Sequence, residues 1–162
     1  MPHERDTEHS TPGDILGVLG GMGPAATADF LAKLTKATHV DRDQDHLASV
    51  ISCFPNIPDR TEAILGNGPS PLPALRRSLG LLQSIGVSRV AIPCNTAHFW
   101  FDELQGGTET PIIHIVDAVK NALLERDAMH DPLGLNVYGV YQISVGWYRR
   151  TVSHTQAGQF GV

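Results

Sequence analysis

Short apolar runs alternate with amphipathic stretches of helical length along most of this chain, and that alternation limits the fold more than any single motif. The run at residues 15–20, bounded by glycines, reads as a buried first strand. Residues 47–54 are rich in β-branched side chains and read as a second strand. Residues 89–93, 112–116 and 135–141 read as the third, fourth and fifth. Pro24 stands where the first turn of a helix tolerates proline. The helix it opens is expected to run to Thr38, with Ala25, Ala28, Leu31, Ala32 and Leu34 as its apolar stripe. Residues 72–85 predict a helix with Leu75, Leu79 and Leu82 on its core face, stopped by Gly86. Further helices are expected over residues 96–104 and from a cap at Asp117 to Ala128. Strands joined through helices are crossovers, which build a parallel sheet in βαβ units. Right-handed crossovers then put every strand's carboxyl end on one edge. The expected class is α/β.

Length and charge exclude several roles. With 162 residues the chain can bury one substantial core. Its net charge of −5, with no basic run, excludes non-specific nucleic-acid binding. No apolar segment reaches the roughly 18 residues that span a bilayer, so no membrane partner is expected. The two cysteines do not make a disulfide framework and point to a reducing, cytoplasmic setting. His3, His9, His39, His46, His114, His130 and His154 show no metal-ligand spacing with them, so no metal site is expected. Residues 1–13 are polar and read as a disordered tail. The hydrophobic pattern is poor over residues 143–162 and has no clear period over 151–162, as if the architecture stopped partway.

Three loops converge on the carboxyl edge of the expected sheet: residues 20–24, 55–61 and 94–98. Gly21-Met22-Gly23-Pro24-Ala25-Ala26 fits a loose dinucleotide fingerprint, G-x-G-x-x-A. Its acidic partner is absent, however, because the second strand ends Phe54-Pro55-Asn56, and Asp41, Asp43 and Asp45 precede that strand. What remains is a glycine loop before a helix N-terminus, fit for a carboxylate or phosphate, or simply a tight turn. Two prolines keep residues 55–61 out of regular structure. Arg60 is the one arginine among these loops; it can grip a carboxylate bidentately or pair with Asp59 or Glu62. Cys94 follows the third strand, with Asn95 or Thr96 expected to cap the next helix. A thiol there is either a reactive thiolate at a helix N-terminus or a small buried hydrophobe. Thr96 and His98 can orient a ligand or cap the helix. Cys53, beside Phe54, reads as a core thiol, the alternative being a thiol that faces the cleft.

Four segments together resemble the aspartate/glutamate racemase family, part of the cofactor-independent Asp/Glu/hydantoin racemase superfamily. They are Gly20-Gly21-Met22-Gly23-Pro24-Ala25-Ala26-Thr27, Asp41-Arg42-Asp43-Gln44-Asp45-His46, Pro55-Asn56-Ile57-Pro58-Asp59-Arg60-Thr61 and Pro93-Cys94-Asn95-Thr96-Ala97-His98. The resemblance runs from Ile15 to Val137, and four co-linear motifs make it specific. It implies a flavodoxin-like, parallel-sheet α/β domain at residues 14–133 and an incomplete or divergent start of a second α/β domain at residues 134–162. It also implies amino-acid racemisation without pyridoxal phosphate or any other cofactor, with an acidic amino acid as substrate and a homodimer as assembly.

In that family two cysteines, one from each domain, flank the substrate's α-carbon. One removes the α-proton and the other returns a proton on the opposite face. By resemblance Cys94 is the first of the pair. Asn95 and Thr96 would bind the α-carboxylate or amino group, Met22 would line the cleft and Arg60 would hold the side-chain carboxylate. The second cysteine's Gly-Cys-Thr-Glu-like motif is missing from this sequence, and Val137-Tyr138-Gly139-Val140-Tyr141-Gln142-Ile143-Ser144 matches the family's second-domain opening poorly, whereas Gly146-Trp147-Tyr148 fits the helix after it. Three other readings stay open: a related cysteine-dependent isomerase or decarboxylase, a non-catalytic fragment that binds small carboxylates or partners, and a nucleotide-binding module.

Overall fold

A computed structural model of the protein describes residues 15–125. The expected tail, the fifth strand and the second-domain opening lie outside the described residues, as does the expected domain boundary after residue 133.

The described strands are β1 (Leu16–Gly20), β2 (Ser49–Cys53), β3 (Arg89–Ala91) and β4 (Ile112–Ile113). They form one parallel sheet in the order β2-β1-β3-β4. This is the flavodoxin-like order for the first four strands of a doubly wound sheet. Helices α1 (Pro24–Ala37), α2 (Arg60–Ile64), α3 (Leu72–Ser84) and α4 (Phe101–Gln105) connect them, and α5 (Ile115–Glu125) follows β4. The chain divides after Ile115 into two compact units, so the sheet and α1–α4 belong to the first.

Side-chain alternation along β1 builds two cores. Leu19, Val90, Ile92 and Ile112 pack with Leu75, Leu79 and Leu82 of α3 and with Trp100 and Leu104. Leu16, Val18 and Ala91 pack on the other face with Phe30, Leu31 and Leu34 of α1. The expected face of α3 is thus buried, and Gly86 takes the left-handed conformation (φ 82°) that stops the helix.

Five local expectations need correction. The stripe of α1 is rotated: Ala25, Ala28 and Ala32 are exposed, while Thr27, Phe30, Leu31 and Leu34 face the sheet. Thr27 sets that rotation, because its Oγ1 accepts the buried Gly21 N–H at 3.0 Å and must lie beneath the turn. Cys53 is exposed. Its neighbour Ser52 points into the core instead, where its hydroxyl meets Ser78 Oγ at 2.5 Å. Arg60 and Thr61 are helical, because Asp59 caps α2 by accepting the Glu62 N–H at 2.9 Å. Residues 96–104 begin as a 3₁₀ turn over Thr96–Trp100 before α4. Val116 lies in α5 and not in a strand; the preceding Ile115 N–H is taken by the His98 ring and not by a sheet neighbour.

Candidate active site

Strand order reverses between β1 and β3, since the chain leaves β1 for β2 on one side and returns to β3 on the other. Ligands bind in the crevice outside the carboxyl ends at such a switch point. Gly21-Met22-Gly23 follows β1 there, and Cys94 follows β3 by three residues.

The first two loops touch through glycine. Gly21 has φ 95°, and its Cα lies so near Phe54 that a Cβ would sit 2.5 Å from the Phe54 amide nitrogen. The Thr27 hydroxyl holds this turn from below, accepting from Gly21 N–H and donating to Gly23 O at 3.4 Å. Met22, Ile57 and Ala97, one from each convergent loop, are all buried in the same apolar cluster. The three loops therefore share one base. Met22 serves that base by packing; it is only 6% exposed.

Arg60 opens α2, and its guanidinium folds back on its own loop. Nη1 donates to Ile57 O at 3.3 Å and to Pro58 O at 3.1 Å. Nε is buried without a partner, an N–H donor left unmatched. The ion pairs among the described residues are Lys33–Asp29 and Arg42–Asp45, so the alternative of an Arg60 pair with Asp59 or Glu62 does not hold.

Cys94 is half-buried. Its own N–H donates to Ile92 O at 2.8 Å, turning the chain sharply after β3. Its Sγ lies 3.5 Å from Thr96 Oγ1, within hydrogen-bond reach of a sulfur. Asn95 occupies the position before the 3₁₀ turn but makes no side-chain cap bond. Its backbone is helical (φ −60°, ψ −48°), whereas a capping asparagine is normally extended, so its exposed carboxamide is left for other partners. Thr96 is exposed beside it and turns its hydroxyl to the sulfur.

His98, one turn further on, is bound at both ring nitrogens. Nδ1 lies 2.9 Å from Cys94 O, and Nε2 accepts the Ile115 N–H at 3.2 Å. Nε2 also lies 3.5 Å from Ile113 O. Phe101 stacks on the ring at a centroid distance of 6.2 Å, and His114 meets it edge-on at 5.2 Å. The role of His114 and of the β4–α5 junction was not legible from spacing. The signal for His98 itself was its place four residues after Cys94, which in helical register lies over the Cys94 carbonyl.

Burial pushes the His98 pKa below its ordinary 6.5, against the raising effect of the two carbonyls and with help from the charge of His114. The folded state thus prefers the neutral ring, and below about pH 6.5 the unfolded chain binds more protons. His98 therefore contributes stability that is present above about pH 6.5 and is lost as pH falls through the lowered folded value. Urea midpoints are expected to drop between about pH 7.5 and about pH 5.5, with a smaller drop in His98→Asn. An equal drop in both would remove His98 from the account.

Among the described residues, no group of three or more His, Cys, Asp or Glu side chains could hold a metal ion. No described helix is long and apolar enough to cross a membrane.

Comparison with known proteins points in one direction. A family model described as Asp/Glu/hydantoin racemase matches residues 19–159. The broad specificity amino-acid racemase RacX of Bacillus subtilis (strain 168) is 29% identical over 111 residues, covering 64% of this chain and 46% of the relative. The solved structure of Picrophilus torridus aspartate racemase is 39% identical with a TM-score of 0.64, over 71% of this chain and 48% of that one. An aspartate racemase homologue from Pyrococcus horikoshii OT3 shares the fold at 22% identity and a TM-score of 0.57, over 70% and 50% of the two chains. The chain thus spans about half the length of the relatives it matches.

Proposed function

This chain belongs to the Asp/Glu/hydantoin racemase family, and from that premise we propose that it handles the α-proton of an acidic amino acid with Cys94 as the acid/base. The observation that carries the reading is the place of the Cys94 thiol. It stands at the β1/β3 switch point, within 3.5 Å of the Thr96 hydroxyl and on the same apolar base as the glycine and Arg60 loops.

The chemistry asks for little else. A Cys94 thiolate takes the α-proton, leaving a thiol and a carbanion whose charge spreads into the α-carboxylate. Donors aimed at that carboxylate lower the barrier most, because they meet charge where it develops. The free Asn95 carboxamide and the Thr96 hydroxyl are the groups we assign to the carboxylate and amino group. Return of the proton from Cys94 restores the starting isomer. Inversion needs an acid on the opposite face, which the family draws from its second domain. No pyridoxal phosphate takes part in this scheme.

The test is α-proton exchange of L-aspartate and L-glutamate in D₂O, followed by proton NMR and chiral chromatography. Loss of the α-proton signal with appearance of the D-isomer is the expected result for a complete site. Exchange with retained configuration means that Cys94 works on one face alone. No exchange of either amino acid overturns the reading.

Arg60 sets the substrate class in this scheme, gripping the side-chain carboxylate. Hydrogen bonds to a charged group are worth roughly 1.5–3 kcal/mol, so Arg60→Lys is expected to raise the KM for aspartate by roughly 10- to 100-fold. Alanine, which lacks the second carboxylate, should be handled equally by both proteins. A parallel loss for both substrates would mean that Arg60 only supports its loop through Ile57 O and Pro58 O.

A further inference from the structure

We propose that His98 is the positioning residue for Cys94, a neutral imidazole clasped at both nitrogens that fixes the Cys94 carbonyl against the β4–α5 junction. The inference rests on the assignment of Cys94 as the acid/base, and it concerns a residue for which that scheme has no role.

The tautomer follows from the partners. Nε2 faces the Ile115 N–H, a donor, and can meet it only as an acceptor. The ring proton must then sit on Nδ1, where it donates to Cys94 O at 2.9 Å. Hydrogen-bond partners at the two ring nitrogens fix both the orientation and the tautomer of a histidine. Phe101 stacked on one face and His114 at the ring edge hold the imidazole plane. His114 is also the titratable neighbour on the β4–α5 side, and the Cys94 thiol is the one on the other. The chain turns sharply at Pro93, which fixes the entry into Cys94, and the Cys94 carbonyl and Cβ are both carried by the one Cα that follows. Pinning the carbonyl therefore limits where Sγ can point. Misplacement of a reacting group by about 1 Å can cost about 100-fold in rate.

Protonation would invert the clasp. An imidazolium Nε2 must donate, so it would abandon the Ile115 N–H for Ile113 O, the longer contact at 3.5 Å. The neutral ring is the form that matches the geometry.

Two substitutions separate positioning from bulk packing. In His98→Asn the side-chain amide can stand where Nδ1–H stands and still donate to Cys94 O. In His98→Gln the amide reaches toward the Ile115 N–H and leaves the carbonyl unpaired. Both are made in a Cys53→Ser background, so that Cys94 is the sole thiol of the chain. The first readout needs no turnover: the rate of Cys94 alkylation by iodoacetamide at fixed pH. It is expected to change by about tenfold or more in the Gln variant and by less than about twofold in the Asn variant. In α-proton exchange the Gln variant should lose kcat with little change in KM, and the Asn variant should recover most of it. Two-bond proton–nitrogen NMR of histidine-labelled protein should show His98 protonated at Nδ1 and bare at Nε2. A proton on Nε2, or alkylation rates equal in all three proteins, overturns the positioning role whether or not the chain exchanges α-protons. Absence of exchange with the alkylation pattern intact overturns the proposed function and leaves the clasp standing.

Discussion

Replacing Gly21 with alanine will cost the fold about 3 kcal/mol, and the melting temperature will fall by on the order of 10 °C. Two effects combine. The backbone at φ 95° is a region that side-chain-bearing residues rarely adopt. The new Cβ would also sit 2.5 Å from Phe54 N and 2.6 Å from its carbonyl carbon and oxygen. These are backbone atoms, so no rotamer change relieves the contact, and either the glycine turn or the loop after β2 must move. Both follow neighbouring strands at the carboxyl edge of the sheet, where the proposed site lies, so binding is expected to fall with stability. Gly23→Ala is the control. Nothing lies within 4 Å of its would-be Cβ, and its φ is −97°. Its cost should stay at about 1 kcal/mol or less, from a poorer helix cap. If the two variants melt together, close approach of the first two loops is not what Gly21 supports.

That pair of glycines also marks where sequence patterns stop. The alternation of strands and helices was legible because hydrophobic period reports burial directly, and α3 shows it: Leu75, Leu79 and Leu82 repeat at helical spacing and are all buried. The glycine loop was legible as a turn, but nothing in its letters showed that Phe54 lies against it. The stripe of α1 failed for a related reason. Alanines satisfy an apolar pattern on either side of a helix, and the deciding residue was Thr27, a polar side chain buried to hold the Gly21 N–H. Cys53 is exposed because alternation along β2 gives Ser52, and not the cysteine, to the face that meets α3. The short β4 illustrates the same limit: Val116 has strand propensity, yet the competing partner for the Ile115 amide is a histidine ring from another loop. Long-range polar contacts leave no period. The candidate residues, in contrast, were readable by type and by place in the chain: Cys94 and Asn95 follow β3, Thr96 opens the 3₁₀ turn and Arg60 opens α2 after β2. What spacing could not supply was the direction each side chain takes, as with the uncapped Asn95 and the folded-back Arg60.

Replacing Cys94 with alanine is expected to lower α-proton exchange by about 10²- to 10⁴-fold or more, the usual worth of a positioned general base. The fold should survive, because Cys94 is half-buried and its loss removes one small side chain from the margin of the apolar cluster. Cys94→Ser is the sharper variant. It keeps the size and the contact with Thr96, yet a hydroxyl holds its proton far more tightly than a thiol and cannot serve as the base near neutral pH. Serine should therefore match alanine in rate while matching the parent in melting temperature. Cys53→Ala supplies the opposite control: Cys53 is exposed at the end of β2, and its removal should leave exchange unchanged. The measurement is the initial rate of α-proton loss in D₂O for the parent and the three variants, at equal folded concentration. Exchange that survives Cys94→Ser would move the base elsewhere. Exchange lost on Cys53→Ala but kept without Cys94 would place it at the end of β2. Loss confined to the Cys94 variants joins the switch-point geometry to the chemistry, because only there does the sheet bring a thiol, a hydroxyl and an uncommitted carboxamide onto consecutive residues.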